Sequence, residues 1–145
     1  MFKTILVPID GSATSQLAVT KAAGLATAFG SNVTVVYVID PYPFTGVGTD
    51  FSYGQTQYLS AATAEANAAL ASARDAFASA GITATSLVVE SHAVHHGIME
   101  TAKNINADLI VMGSHGRRGI TKLVLGSVAQ RVLGAAQMPV MVVRD

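Results

Sequence analysis

Leu109-Ile110-Val111-Met112-Gly113-Ser114-His115-Gly116-Arg117-Arg118-Gly119-Ile120, running on to Leu125-Gly126-Ser127-Val128, is the stretch on which the reading of this chain turns. Leu109 to Met112 is a short apolar run of the kind a buried strand shows. It breaks into a basic loop punctuated by Gly113, Gly116 and Gly119, where missing side chains let backbone N–H groups come close to a ligand. At Ser127 the pattern restarts as a helix, with Val128, Val132, Leu133 and Ala136 on one face and Ser127 placed to cap it. The first amides of a helix have no intrahelical acceptor and carry the positive end of its dipole. Strand, glycine loop and helix start together predict an anion site, most often one for phosphate. Arg117, Arg118 and Lys122 add mobile positive charge at the same place.

Charge along the whole chain points the same way. Lys plus Arg and Asp plus Glu both number nine, so the overall balance predicts neither nucleic-acid nor membrane binding. Its distribution is uneven: five basic residues and no acidic one lie from Leu109 to Arg144, against four basic and eight acidic up to Asp108. At 145 residues, half of them apolar, the chain is expected to form one domain over residues 1–145 with a substantial core. Cysteine is absent, which removes disulfide and thiol chemistry. The N-terminal residues enter a strand too soon for a signal peptide, and no apolar run approaches the roughly 20 residues of a membrane span. A cytoplasmic location is the expectation.

The rest of the chain alternates strand and helix. Ile5-Leu6-Val7 reads as a strand covered on both faces, ending in the turn Pro8-Ile9-Asp10-Gly11-Ser12, which offers a helix cap. A helix follows with Ala18, Ala22, Leu25, Ala26 and Phe29 on one face and Gly30 as its stop. Val33 to Ile39 is the second strand, and two strands joined through a helix within 39 residues imply a parallel pair. Asp40 to Gln55 is the longest irregular segment, read as either a flap over a ligand or a surface loop. Thr56 to Ala80 is a helix with Leu59, Ala62, Ala66, Leu70, Ala73 and Phe77 at helical spacing, stopped by Gly81. Thr83 to Val89 is the third strand, Val94, Ile98, Ala102 and Ile105 mark a third helix, and Pro139 to Val143 is the fifth strand. Five strands alternating with four helices describe an open, doubly wound, Rossmann-like α/β domain, whose ligands bind beyond the carboxyl ends of the strands.

Gly113, two residues, Gly116, nine residues, Gly126 and then Ser127 resembles the Gly-x2-Gly-x9-Gly-Ser/Thr motif of ATP-binding universal stress proteins. The opening Ile-Leu-Val-Pro-Ile-Asp-Gly-Ser and the closing Pro-Val-Met-Val-Val extend the likeness over the whole chain. The resemblance implies a five-stranded parallel sheet of order 3-2-1-4-5, with the first turn facing the glycine loop. It implies a site in which Pro8, Ile9, Asp10 and Ser12 lie at the adenosine end and the backbone of Val38 contacts the adenine. Met112 and Gly113-Ser114-His115-Gly116-Arg117-Arg118-Gly119 would wrap the ribose and phosphates, and Gly126, Ser127, Val128 and Ala129 would hold the phosphates. The implied ligand is ATP with Mg²⁺. ADP and AMP stay open, because amides recognise phosphate and not chain length.

Chemistry other than binding finds less support. No Walker or dinucleotide fingerprint is present. A hydrolase with Ser114 as nucleophile and His115 as base lacks the Gly-x-Ser-x-Gly elbow, and adjacent residues seldom face one another. His115 reads instead as a contact to phosphate or ribose, and Asp10 as a hydrogen-bond acceptor or helix cap. Where relatives carry glycine and often proline after the third strand, this chain has Glu90-Ser91-His92-Ala93-Val94-His95-His96. His92 and His96 would share a face if helical, but without cysteine or a second carboxylate shell no metal site is assigned. The functional reading is an ATP-binding, stress-response switch acting through protein partners, with no catalytic residue assigned. A slow ATPase or autophosphorylating enzyme, and a nucleotide-independent dimeric interaction module, are the alternatives. The last strand would leave Val140, Val142 and Val143 on an unprotected apolar edge, which with the resemblance predicts a homodimer.

Overall fold

The computed structural model describes residues 1–41, 49–116 and 125–145. Its order is β1 Thr4–Pro8, α1 Ala13–Phe29, β2 Asn32–Ile39, α2 Thr49–Ser79, β3 Thr85–Glu90, α3 Val94–Asn104, β4 Leu109–Gly113, α4 Ser127–Ala135 and β5 Val140–Val143. The five strands form one parallel sheet in the order β3-β2-β1-β4-β5. The α/β architecture and strand order are therefore those expected.

Side-chain alternation in β1 explains the two layers. Ile5 and Val7 face α1 and α2, packing with Ala18, Ala22, Leu70 and Phe77. Leu6 faces the other way, into a second core with Ile98 and Ala102 of α3 and Ala129 and Val132 of α4. All three strand residues are fully buried. A central strand with apolar side chains on both faces can only be covered by helices on both faces, which is why the run is continuous instead of alternating. Each such side chain stabilises the fold by about 1.5–3 kcal/mol.

Both glycine stops hold. Gly30 and Gly81 take positive φ values of 66° and 79°, and the next amides reach back to the Ala26 and Phe77 carbonyls at 3.1 and 2.9 Å. Four other expectations are corrected. Phe29 is 44 % exposed and stacks edge-on against Phe2, because the buried stripe of α1 runs through Ala18, Val19, Ala22 and Ala26 and leaves the last helical residue beyond the sheet. Leu133 is likewise exposed, with Ala129 and Val132 forming the buried face of α4. The segment from Asp40 to Gln55 is not one long loop, since α2 begins at Thr49; residues 42–48 lie outside the described residues. The apolar stripe from Leu59 marks only the part of α2 that meets the sheet. A helix of 31 residues spans about 46 Å, much longer than a strand of this sheet. Finally, α3 starts at Val94, so His92 precedes the helix and does not share a helical face with His96.

Asp108 ties the start of β1 to the start of β4. Its Oδ2 accepts from the Lys3 amide at 2.8 Å and its Oδ1 from the Thr4 amide at 3.0 Å. Burial pushes this carboxyl up, but the Thr4 and Lys3 amides outweigh it and hold it below its ordinary value. A depressed carboxylate contributes stability above its unfolded pKa and loses it as pH falls through the folded one. Asp108→Ala is therefore expected to lower stability by about 1–2 kcal/mol in urea unfolding at neutral pH. The gap between variant and wild type should close in strongly acidic solution; a gap that persisted there would contradict the assignment.

Candidate functional site

Strand order reverses at β1, because α1 leads from it to β2 on one side while β4 lies on the other. Beyond the carboxyl ends of these three strands the two connections diverge and leave a cleft of about 980 Å³. Pro8, Ile9, Asp10 and Ser12 line it from the end of β1, and Val38 lines it from β2. Met112, Gly113, His115 and Gly116 line it from β4, and Gly126, Ser127, Val128 and Ala129 from the start of α4. Segments more than a hundred residues apart in the chain thus share one cavity. Arg117, Arg118 and Gly119, and Lys122 with them, lie outside the described residues.

The start of the glycine loop is fastened on several sides. Ser114 N–H donates to the Val143 carbonyl at 2.8 Å, and the Ser114 carbonyl accepts from Gly126 N–H at 2.7 Å. The second bond draws residues 114 and 126 together and closes the segment between them at its base. Thr14, buried in the first turn of α1, donates its hydroxyl to the His115 carbonyl. The glycines stand where other chain comes close. A β-carbon on Gly113 would lie 3.0 Å from the backbone carbon of Thr14, one on Gly126 3.1 Å from His115 Cα, and one on Gly116 2.3 Å from Asp10 Oδ2. Part of the motif thus serves packing between α1, β4 and α4, and part serves the face of the cleft.

Two expected roles change. Ser127 does not cap α4: the cap is Gly126, with φ −63° and ψ 158°, no side-chain hydrogen bond closes the helix start, and Ser127 is the first helical residue. The reason is geometric, since Gly126 is pinned against His115 and fixes where the chain turns into the helix. The consequence favours the site, because among the described residues no side-chain cap occupies the head of α4. Ser114 does not line the cleft. It is 3 % exposed, drawn into the wall by its two backbone bonds, which also removes it as a nucleophile facing a ligand. Ser12 does cap α1, accepting from Ser15 N–H at 3.3 Å, and Asp10 Oδ1 accepts from Ser12 N–H at 2.9 Å. Asp10 therefore shapes the turn while its carboxylate borders the cleft.

Sequence reasoning missed the wall supplied by α2. Tyr58, Ala61, Ala62 and Glu65 line the cleft together with Asp40 at the end of β2. Ala62 could be recognised only as a core residue, and Tyr58 and Glu65 carry no motif. Thr14 was missed for the same reason. The described carboxylates of the cleft are thus Asp10, Asp40 and Glu65, and that of Asp10 lies against Gly116 of the glycine loop. Carboxylates accept hydrogen bonds and helix-start amides donate them, so this lining suits a ligand that carries both hydroxyl or amine donors and anionic oxygens.

The histidines after β3 stand apart from this site. His92 and His96 are exposed, and the His95 and His96 rings meet edge to face at 4.6 Å. Burial, then the neighbouring His96 and Arg131, hold the His95 imidazole below its ordinary pKa. A group so depressed stays neutral where a free histidine charges, and it destabilises the fold as pH falls through the ordinary histidine range. Among the described residues no three His, Cys, Asp or Glu side chains converge to hold a metal ion. Among the same residues, no helix is long and apolar enough to cross a membrane.

Comparison with known proteins covers almost the whole chain. The model of the universal stress protein family matches residues 1–144. A universal stress protein of Methanocaldococcus jannaschii is 34 % identical over 144 residues, which span 99 % of this chain and 83 % of that protein. The solved universal stress protein UspA of Lactobacillus plantarum superposes with a TM-score of 0.89 at 27 % identity, over 99 % of this chain and 98 % of its own. A universal stress protein solved in complex with cAMP superposes with a TM-score of 0.73 at 26 % identity, over 99 % and 97 %.

Proposed function

The chain belongs to the universal stress protein family, and from that premise we propose that its cleft holds ATP, with Mg²⁺ on the phosphates, as a regulatory switch read by protein partners. The observation that carries this reading is the head of α4. Its first amides open onto the cleft with no side-chain cap, directly beside the glycine loop. Such amides bind anionic oxygen through hydrogen bonds reinforced by the helix dipole. Asp10 and Val38, which also line the cleft, would meet the adenosine. Asp10 at this end accepts hydrogen bonds from hydroxyl or amine and would repel phosphate, which orients the ligand. A relative that binds cAMP supports a nucleotide-sized cleft in this fold. The domain spans residues 1–145 and works in the cytoplasm.

Denaturing the freshly purified protein and identifying the released nucleotide by chromatography tests this directly. Intact ATP is the expected result. ADP or AMP alone would move the reading to a slow ATPase or to a site selective for the shorter nucleotide. If nothing is released and added ATP leaves the melting temperature unmoved, the fold serves a nucleotide-independent module.

We further propose that β5 pairs with β5 of a second copy. It is an edge strand in which Met141 is 38 % exposed, Val140 and Val142 are half-buried, and Arg144 is the first charge beyond the strand, whereas Val143, expected on this edge, is 7 % exposed and packs into the core beside Val111 instead. Unpaired apolar edges of this kind are normally covered. Sedimentation should show a concentration-dependent dimer that Val142→Lys converts to a folded monomer; a wild-type monomer at all concentrations would end the proposal.

A further inference from the structure

His115 is held from two directions, and one of the holders belongs to no motif. Its carbonyl accepts the Thr14 hydroxyl, which fixes the main chain against α1. Its Nε2 lies 3.5 Å from Asp145 Oδ1, two residues past the end of β5. The preceding residue is anchored to the same segment, since Ser114 N–H donates to the Val143 carbonyl. The other ring nitrogen, Nδ1, is buried and has no hydrogen-bond partner among the described residues. Asp145 is therefore the polar anchor of the imidazole among the described residues.

We propose that Asp145 is a positioning residue of the nucleotide cleft, setting the rotation and tautomer of His115 in the cleft wall. The inference rests on the nucleotide reading above. At 3.5 Å the contact is electrostatic: a carboxylate attracts an N–H and repels a lone pair, so it favours the proton on the ring nitrogen that faces it. In the neutral ring Nδ1 is then a bare acceptor. Without Asp145 the field that favours a proton on Nε2 is gone, and the proton can move to Nδ1 or the ring can turn to bring Nδ1 to a partner. His115 lines the cleft beside Gly116 and packs against Gly126, so its rotation alters the surface that meets the ligand. A partner that orients a ligand-contacting histidine acts through it, as outer partners of metal-bound histidines do.

Two readouts on the full chain test this. The first needs no nucleotide: two-bond ¹⁵N–¹H imidazole spectra in mildly alkaline solution should show His115 protonated on Nε2 in the wild type and as a mixture of tautomers in Asp145→Ala. The second is ATP titration of Asp145→Ala, His115→Ala and the double variant, with melting curves as a control of folding. Each single variant should bind about fivefold more weakly, the double variant no worse than His115→Ala, and Asp145→Glu should recover most of the loss. An unchanged tautomer in Asp145→Ala overturns the proposal whether or not ATP binds. A changed tautomer with additive losses, or with no loss, overturns the link to the cleft. A wild-type protein that binds no ATP fails the nucleotide reading itself, and with it that link, while the spectrum still decides the Asp145–His115 pairing.

Discussion

Ser127→Pro is expected to weaken ATP binding about tenfold to a hundredfold while moving the melting temperature by no more than a few degrees. Ser127 is the first residue of α4, a position where proline costs little because that amide has no intrahelical acceptor. Gly126 before it has φ −63° and ψ 158°, the extended conformation that a residue preceding proline adopts. The substitution deletes an amide at the head of the helix and leaves the helix intact. Hydrogen bonds to charged groups contribute roughly 1.5–3 kcal/mol, which is the source of the expected range. Ser127→Ala removes the hydroxyl alone, so the difference between the two variants isolates the amide. Isothermal titration with ATP and a thermal melt on each would suffice. Equal affinity in Ser127→Pro and Ser127→Ala would mean that this amide does not hold the phosphates.

Gly113→Val is expected to act on the fold before it acts on any ligand. A β-carbon at Gly113 would sit 3.0 Å from the backbone carbon of Thr14 and 3.1 Å from its carbonyl oxygen. Backbone in the first turn of a capped helix cannot yield as a side chain does, and overpacking of this kind costs about 2–3 kcal/mol. For a domain of this size that is a fall in melting temperature of roughly 10 °C. Gly116→Ala is the contrasting case. Its β-carbon meets the far end of the Asp10 side chain, and its φ is not in the left-handed region, so the carboxylate can swing aside at the cost of about 1 kcal/mol for its bond from Ser12 N–H. It should bind ATP less well and melt close to wild type. If Gly113→Val melted within two or three degrees of wild type, the assignment of that glycine to packing would be wrong.

The contrast between these glycines shows where the sequence stopped being informative. All of the motif glycines read alike as places where backbone can approach a ligand. Only the folded chain separates Gly113, pressed against Thr14, and Gly126, pressed against His115, from Gly116, which faces Asp10. Ser127 gives the same lesson: a serine before an apolar helical face is a sound cap by residue type, yet the cap moved to Gly126 because a contact with His115 fixes the turn.

The sequence by itself determined the layered α/β fold and the two glycine stops, while the strand order that sets the first turn beside the glycine loop was implied only by the family resemblance. The fold and the stops follow from local and periodic signals: a three-residue apolar run buried on both faces, and helical stripes. The first turn of α2, the exposure of Phe29 and Leu133, the withdrawal of Ser114, and the α2 wall with Tyr58 and Glu65 were decided only by tertiary structure. The physical reason is common to them. Each depends on which distant segment lies alongside, a relation that periodicity within one element does not encode.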